Sequence, residues 1–313
     1  MRCIISGYTE VKEMTTFQLL IDGSESSEVA AEYALKLASV CDAKIVPTNV
    51  IDIRRFRTPR SIETMKKVVE DFTKNLNNTA MNLNVTIAPA RTITANPIKD
   101  ILAETKAIGA DLIVTGAAGY TREKINDIAS EILKRAPCNV VLARGSHGNN
   151  GTRNKILIPT RDNESAAGHA ASLAKRFGAD LVACNTLENT DIPPARVVYL
   201  SEAASNTGHV LGERVAVSGT MAAKQKQAYI NRAHKDTDAF VDIAKQKGVH
   251  TKSVVLEGNP LDTIPDFAAK ENFDLMVLQY QNKGRFSRLL SSNISEKLAH
   301  SAPCSVYIVK NGC

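Results

Sequence analysis

The 313-residue chain reads as an α/β protein made of two tandem domains, each a doubly wound, five-stranded parallel sheet. Two observations predict this. Short apolar runs alternate with amphipathic stretches along the whole chain, as buried strands and their covering helices do. The second half also repeats the first: Ala136-Pro137-Cys138-Asn139-Val140-Val141-Leu142 returns as Ala302-Pro303-Cys304-Ser305-Val306-Tyr307-Ile308. Upstream, Asn96-Pro97 and Asp111-Leu112 return as Asn259-Pro260 and Asp274-Leu275. The spacing is 163 residues for the upstream pairs (259 − 96) and 166 for the Ala-Pro-Cys pair (302 − 136), so one copy has gained or lost three residues in between. A period of this length marks a duplicated domain rather than a solenoid.

In the first copy, Phe17 to Ile21 is a buried strand running into the turn Asp22-Gly23-Ser24. Val29, Tyr33, Leu35, Leu37 and Val40 recur at helical spacing from Glu28 to Cys41, with Ser26 or Ser27 as the cap. Lys44 to Ile51 is the second strand, Ser61 to Leu76 a charged amphipathic helix, and Val85 to Thr92 the third strand. A helix over Pro97 to Ile108, a strand over Asp111 to Thr115, a helix over Ile128 to Arg135 and a strand over Asn139 to Ala143 complete the copy. The second copy follows the same order: strand Lys155 to Pro159, helix Ser165 to Phe177, strand Asp180 to Leu187, helix Thr237 to Gln246 and strand Thr251 to Leu256. Helix Leu261 to Lys270, strand Asp274 to Leu278, helix Ile294 to His300 and strand Ser305 to Val309 finish it. Strands that alternate with helices imply right-handed crossovers and a parallel sheet covered on both faces.

The expected domains are an N-terminal extension at 1–14, a first domain at 15–144, a linker at 145–153 and a second domain at 154–313. The linker is polar and rich in Gly and Asn. The second domain carries an irregular insertion at about 188–231, where Pro193-Pro194 interrupts any periodicity.

Composition narrows the function classes. A hydrophobic content of 43% and a charged content of 23% are ordinary for a globular protein. No apolar run approaches the roughly 20 residues that span a bilayer, and the N-terminus lacks a signal-peptide pattern. A cytoplasmic protein is expected, with no membrane partner. The net charge of +6 is mild. Its densest stretch, Arg54-Arg55-Phe56-Arg57-Thr58-Pro59-Arg60, reads as a solvated loop rather than a nucleic-acid surface, because no basic stripe with interleaved aromatics continues from it. The six cysteines form no Cys-x-x-Cys, and the six histidines are scattered without ligand spacing. No Walker A sequence, Gly-x-Ser-x-Gly elbow or Gly-x-Gly-x-x-Gly follows a strand.

In an open parallel sheet, ligands sit beyond the carboxyl ends of the strands, where the strand order reverses. Three segments of the first copy end there: Asp22-Gly23-Ser24, Asn49-Val50, and Thr115-Gly116-Ala117-Ala118-Gly119, which leads on to Asn126-Asp127. Glycines in such turns let backbone N–H groups approach an anion, and a following helix N-terminus favours negative charge. The competing reading is a tight strand-to-helix turn that needs glycine for its own geometry.

The ordered set Asp-Gly-Ser-Glu-Ser-Ser, Ala-Asp-Leu-Ile-Val-Thr-Gly-Ala-Ala-Gly and Ser-Glu-Ile-Leu-Lys-Arg-Ala-Pro-Cys-Asn-Val-Val-Leu resembles the universal stress protein family. The resemblance covers both halves, from about Phe17 to Lys310. It implies an adenine nucleotide alpha-hydrolase-like sandwich in each copy, with the two copies paired through their last strands. Some members bind ATP through Gly-x-x-Gly, nine residues, then Gly-Ser or Gly-Thr; others lack this pattern. Carried over, the resemblance assigns a cofactor-binding set of Asp22, Gly23, Val50, Thr115, Gly116, Gly119, Asn126 and Asp127. Asp22 would bond the ribose or adenine side, Val50 the adenine edge, and Gly116 and Gly119 the phosphates. The match breaks at Asn126-Asp127, which stand where the Gly-Ser pair belongs after a loop three residues short. A carboxylate at Asp127 opposes phosphate unless a cation bridges them. In the second copy Gln279, Asn282 and Ser292-Asn293 keep the spacing without the glycines, and Arg161 replaces Asp22. Their side chains are expected to fill the phosphate space.

The expected function is therefore that of a non-catalytic stress-response protein. The first domain has a weakened site for ATP or AMP, with no metal beyond nucleotide-associated magnesium, and the second domain has a degenerate site. A homodimer is allowed. The alternative is a nucleotide-free scaffold that contacts a partner protein through the 188–231 insertion. A third reading, an enzyme such as a nucleotide α-hydrolase or an electron-transfer flavoprotein subunit, is disfavoured because no Ser-Gly-Gly-x-Asp-Ser loop is present.

Overall fold

The structure is a computed structural model, which describes residues 15–52, 58–95, 97–117, 127–145, 154–161, 163, 165–187, 198–200, 213–215, 227–228, 231, 237–280 and 294–310. The first half comprises β1 (Thr16–Leu20), α1 (Glu25–Cys41), β2 (Lys44–Asp52), α2 (Pro59–Asn82), β3 (Arg91–Ala95), α3 (Pro97–Ala107), β4 (Leu112–Gly116), α4 (Asp127–Arg135) and β5 (Asn139–Ala143). The second begins with β6 (Lys155–Pro159), α5 (Ala166–Phe177) and β7 (Asp180–Leu187). A short antiparallel pair follows, β8 (Val198–Leu200) with β9 (Glu213–Val215). A helix, α6, is described over residues 237–246. Strand β10 (Thr251–Glu257), α7 (Pro260–Lys270), β11 (Leu275–Tyr280), α8 (Ile294–Ser301) and β12 (Ser305–Lys310) complete the half.

Ten strands form one sheet in the order β10-β7-β6-β11-β12-β5-β4-β1-β2-β3. Within this sheet the pairings inside each half are parallel, and the halves join antiparallel through β12 and β5. The register sets Tyr307 opposite Val141, with Val306 on Leu142 and Ile308 on Val140. Tyr307 and Val141 are equivalents in the repeat (307 − 141 gives the same 166), so a pseudo-two-fold axis passes between them. The pairing through last strands implied by the resemblance is present.

Alternation along the strands builds two apolar layers that both run through the junction. On one face Phe17, Leu19, Val141, Ile156 and Tyr307 pack under α1, α2, α5 and α6. On the other Val140, Leu142, Leu157, Val306 and Ile308 pack under α3, α4, α7 and α8. Strand residues i and i+2 share a face, so one sheet serves both layers, and the two halves share their cores.

The residues repeated between the copies turn out to hold the scaffold. Asp111 Oδ2 accepts the backbone N–H groups of Thr15 at 3.0 Å and Thr16 at 3.2 Å, tying the start of β4 to the start of β1. Asp274 Oδ2 accepts the Lys155 N–H at 2.8 Å and does the same for β11 and β6. Asn259 caps α7 through the Leu261 N–H at 3.0 Å. Ala136 and Ala302 donate to Ile132 and Leu298, each at 2.8 Å, closing α4 and α8.

Two cations cross the junction reciprocally. Arg144, just past β5, donates to the Ala299 carbonyl at 2.7 Å and the Cys304 carbonyl at 3.3 Å, at the C-terminal end of α8. Lys310, the last residue of β12, donates to the Leu133 carbonyl and, at 3.4 Å, to the Lys134 carbonyl at the end of α4. It also lies 3.7 Å from the centre of the Tyr280 ring. Arg144 and Lys310 are equivalents (310 − 144 is again 166). Each domain's last strand thus caps the other domain's last helix, where the macrodipole favours a cation. The strand starts match as well: Asn139 Oδ1 accepts the Lys310 N–H and Ser305 Oγ accepts the Arg144 N–H.

Several boundaries differ from the sequence expectations. The cap of α1 is Ser24, not Ser26 or Ser27, so the helix begins at Glu25. Strand β3 begins at Arg91, because Pro89 has no N–H to extend the ladder; upstream, Ile87 makes only an isolated bridge with Ile45. Helix α2 starts at Pro59 under a Thr58–Ser61 capping box and ends at Asn82. Pro59 and Arg60 therefore belong to a helix rather than to a basic loop, while 53–57 lie outside the described residues. The extension at 1–14, the linker at 146–153 and most of the 188–231 insertion also lie outside them.

Helix α5 buries His169, which is 8% exposed and tilts its ring 6.1 Å from that of Tyr307. Burial, with the nearby Lys247 ammonium, pushes its pKa down to about 4. The unfolded chain takes up this proton below about pH 6.5, and the folded state only near pH 4. The contribution is fully present above pH 6.5 and is lost as pH falls. Between about pH 7 and pH 5 the protein is expected to lose roughly 2 kcal/mol through this one group. Denaturant midpoints of the parent and His169→Gln should converge across that range; parallel curves would show that His169 protonates freely in the fold.

Candidate functional site

In the first half the strand order is β5-β4-β1-β2-β3, so the reversal falls between β1 and β4. At their carboxyl ends a cleft opens, lined by Asp22, Ser26, Thr48, Thr115, Gly116 and Ile128 among others. The fold thus brings Asp22, Thr115 and Gly116 together from the candidate set. Gly23 sits in the same turn. Val50 lies on β2 opposite Ile93, and Asp127 opens α4. Gly119 and Asn126 lie outside the described residues, and so do Asn282, Ser292 and Asn293 of the second copy.

The turn after β1 is organised by Asp22. Its Oδ1 accepts the Ser24 N–H at 3.0 Å, the Ser24 hydroxyl at 2.6 Å and the Ser27 hydroxyl. The Asp22 N–H in turn donates to Ser27 Oγ at 3.0 Å. Aspartate side chains hold turns this way, and a carboxylate is favourable at the start of α1. Gly23 has φ +78°, and a Cβ there would stand 2.5 Å from Val68 Cγ1 of α2. The turn needs glycine for both conformation and space.

Gly116 has a structural reason of its own. A Cβ at this position would stand 2.5 Å from the Ser26 carbonyl oxygen and 2.8 Å from its carbon. The first turn of α1 therefore rests directly on the end of β4. The Cβ-free face of Gly116 is covered by Ser26.

Behind Thr48 of the cleft wall lies a buried polar trio. Thr105 Oγ1 donates to Gln18 Oε1 at 2.6 Å, and Gln18 Nε2 donates to Thr48 Oγ1 at 3.3 Å. All three side chains are buried. Register and repeat spacing place Leu157, Cys184 and Ala268 at the equivalent points of the second copy, where they join the apolar layer. Periodicity could not reveal this trio, since a buried Gln or Thr in a strand looks like any interruption of an apolar run. Beside it, Asn49 donates to the Ile21 carbonyl, and its buried Oδ1 has no partner among the described residues.

At the equivalent place in the second copy, side chains bridge the described strand ends. Asn163 Nδ2 donates to the Pro159 carbonyl at 2.6 Å and the Val277 carbonyl at 3.2 Å, and its Oδ1 accepts the Gln279 N–H. The Gln279 amide then clasps Ser165. Its Oε1 accepts the Ser165 N–H at 3.2 Å, and its Nε2 donates to Ser165 Oγ at 3.1 Å. Where Gly116 lets Ser26 approach in the first half, Gln279 reaches Ser165 through two hydrogen bonds in the second.

The size of the first-half cleft limits its occupant. Its enclosed part is about 70 Å³, well below the roughly 300–1,000 Å³ of drug-sized ligand pockets. Among the described residues, no group of three His, Cys, Asp or Glu converges as a metal site.

A duplicated, doubly wound α/β sheet with a cleft at one strand-order reversal and a Gln279–Ser165 bridge at the other is what the fold and site define. Comparison with known proteins gives the class a family. The universal stress protein family model matches residues 16–144 and again 152–310, and the chain belongs to that family. A universal stress protein from Methanocaldococcus jannaschii is 28% identical over 159 residues, covering 50% of this chain and 81% of that protein. A putative universal stress protein from Staphylococcus epidermidis is 29% identical over 136 residues, covering 40% of this chain and 81% of that one. Among solved structures, a universal stress protein from Archaeoglobus fulgidus superposes with a TM-score of 0.65 over 95% of this chain and 98% of its own, at 14% identity. At that identity the likeness concerns the fold.

Proposed function

We propose that this chain is a non-catalytic cytoplasmic stress-response protein whose first domain binds an adenine nucleotide, ATP or AMP, weakly, while its second domain acts as a structural partner. The observation that carries the reading is the asymmetry of the two equivalent places. One is an open cleft with Asp22, Thr115 and Gly116 at its mouth and the Gln18-Thr48-Thr105 trio behind its wall. The other is bridged by Gln279 on Ser165, over an apolar layer. Within the first domain, residues 15–144, the nucleotide edge would lie beside Asp22 and Val50. Its phosphates would reach the N–H groups from Gly116 towards Gly119, Asn126 and Asp127. Magnesium would bridge Asp127 and phosphate.

Calorimetric titration of ATP and AMP tests this. A dissociation constant in the high micromolar range or weaker is expected, with heat abolished in Gly119→Trp and unchanged in Gln279→Ala. Absence of heat for both nucleotides in the parent would overturn the nucleotide reading. The small enclosed volume of the cleft supports a second reading, a nucleotide-free scaffold. Deleting residues 188–231 and losing a captured partner, with no nucleotide heat in the parent, would favour that alternative. Among the described residues, no helix is long and apolar enough to cross a membrane.

A further inference from the structure

Helix α4 reaches from the first-domain cleft to the domain junction. It has nine residues, a length of about 14 Å. Its first turn carries Ile128, which lines the cleft and is 36% exposed. Its last turn is held by the other domain. Lys310 donates to the Leu133 and Lys134 carbonyls, and Lys134 Nζ stands 3.2 Å from Glu296 Oε1 of α8. The two holds differ in weight: the Lys134–Glu296 pair is partly exposed and screened, whereas Lys310 is buried.

The equivalent helix has a tie that α4 lacks. Ser295 Oγ, in the first turn of α8, donates to the Gln279 carbonyl of β11 at 2.7 Å. The repeat puts Ala129 and Gly116 in those places (295 − 166 and 279 − 163), and alanine has no hydroxyl to donate. Ala129, Ile132 and Leu133 are buried and fix the face that α4 turns to the sheet. Packed apolar rows still allow a helix to slide slightly along its axis, and contacts at its ends oppose that slide. With the Ser295-type tie missing, the cross-domain hold on the last turn carries more of this task in α4 than its counterpart does in α8.

We propose that Lys310, a residue of the second domain, is a positioning residue for the first-domain cleft: by holding the end of α4 it sets where Ile128 stands in the cleft wall. Loosening the junction at Lys310 loosens the cleft. Loosening it at Arg144, the pseudo-symmetric cap, acts on α8 and leaves the cleft as it is. The consequence for ligand affinity rests on the nucleotide reading; the placement of Ile128 does not.

Isoleucine δ1-methyl NMR of the ligand-free protein and calorimetric titration of AMP test this on Lys310→Met, Lys310→Arg and Arg144→Met. In Lys310→Met the Ile128 methyl is expected to shift, and the AMP dissociation constant to rise roughly threefold or more. Lys310→Arg keeps a charged donor and should keep the parent shift and affinity. Arg144→Met, which removes the equivalent cap, should leave both at parent values, with Ile294 steady because Ser295 ties α8. Glu296→Gln releases the same end of α4 more gently and should move Ile128 in the same direction by less, which keeps the test open if Lys310→Met does not fold. Equal Ile128 shifts in Lys310→Met and Arg144→Met would mean general loosening and overturn the proposal. An unmoved Ile128, or an unchanged AMP affinity in Lys310→Met, overturns it as well. If the parent takes up no AMP, the nucleotide reading falls and the methyl shifts alone decide.

Discussion

Lys310→Met is expected to lower the unfolding free energy by about 3 kcal/mol, and Arg144→Met by a similar amount. Lys310 is 7% exposed, and its ammonium serves two carbonyls that end α4 while lying over the Tyr280 ring. Methionine keeps the stem and removes the charge. The desolvation cost of a buried ammonium is relieved, which offsets part of the loss, but the carbonyls are left without their donor in an enclosed place. Charged hydrogen bonds are worth about 1.5–3 kcal/mol each, so the loss wins. Because the caps cross between domains, the damage concentrates at the junction, and hydrogen exchange in β5 and β12 should accelerate before exchange in β1 or β6. Lys252→Met, on exposed β10, is the control and should change stability by less than about 0.5 kcal/mol. A near-zero effect at Lys310 would mean that strand pairing alone holds the halves together.

Gly116→Ala is expected to cost about 3 kcal/mol in protein purified without nucleotide. The new Cβ would meet the carbonyl oxygen and carbon of Ser26, backbone that cannot swing aside. Either α1 lifts from the end of β4 or β4 bends, and both disturb a layer packed at crystal-like density. Ser26→Gly in the same chain should restore only a minor part, because the backbone clash remains. The result separates two reasons for the same glycine. A residue needed only for phosphate would tolerate alanine in the empty protein; one that seats a helix would not. Chemical denaturation of Gly116→Ala, Ser26→Gly and the double variant reads the difference.

Much of the architecture is legible in the chain because strands and helices have their own periods. Alternating elements and the 163- and 166-residue echoes lead to two doubly wound halves, and Asn139–Ala143 is placed without error. The boundaries that failed did so for local reasons. Ser24 rather than Ser26 caps α1 because Asp22 pulls the turn tight behind it, and Pro89 postpones β3. The site was less legible. Asp22, Thr115 and Gly116 do converge, yet Gln18, Thr48 and Thr105 meet across 87 residues of sequence and carry no local signal.

By itself the sequence determined what local periodicity and repetition can carry: the order of elements, the duplication, and the replacement of glycine by Gln279 in the second copy. Only the tertiary structure decided what those residues do. Asp111 and Asp274 stitch strands, Arg144 and Lys310 cap each other's domain, and Gly116 yields to Ser26 while Gln279 clasps Ser165. The reason is physical. A period records which face of an element is buried, whereas a hydrogen bond or a steric contact between distant residues exists only once the chain has brought them together.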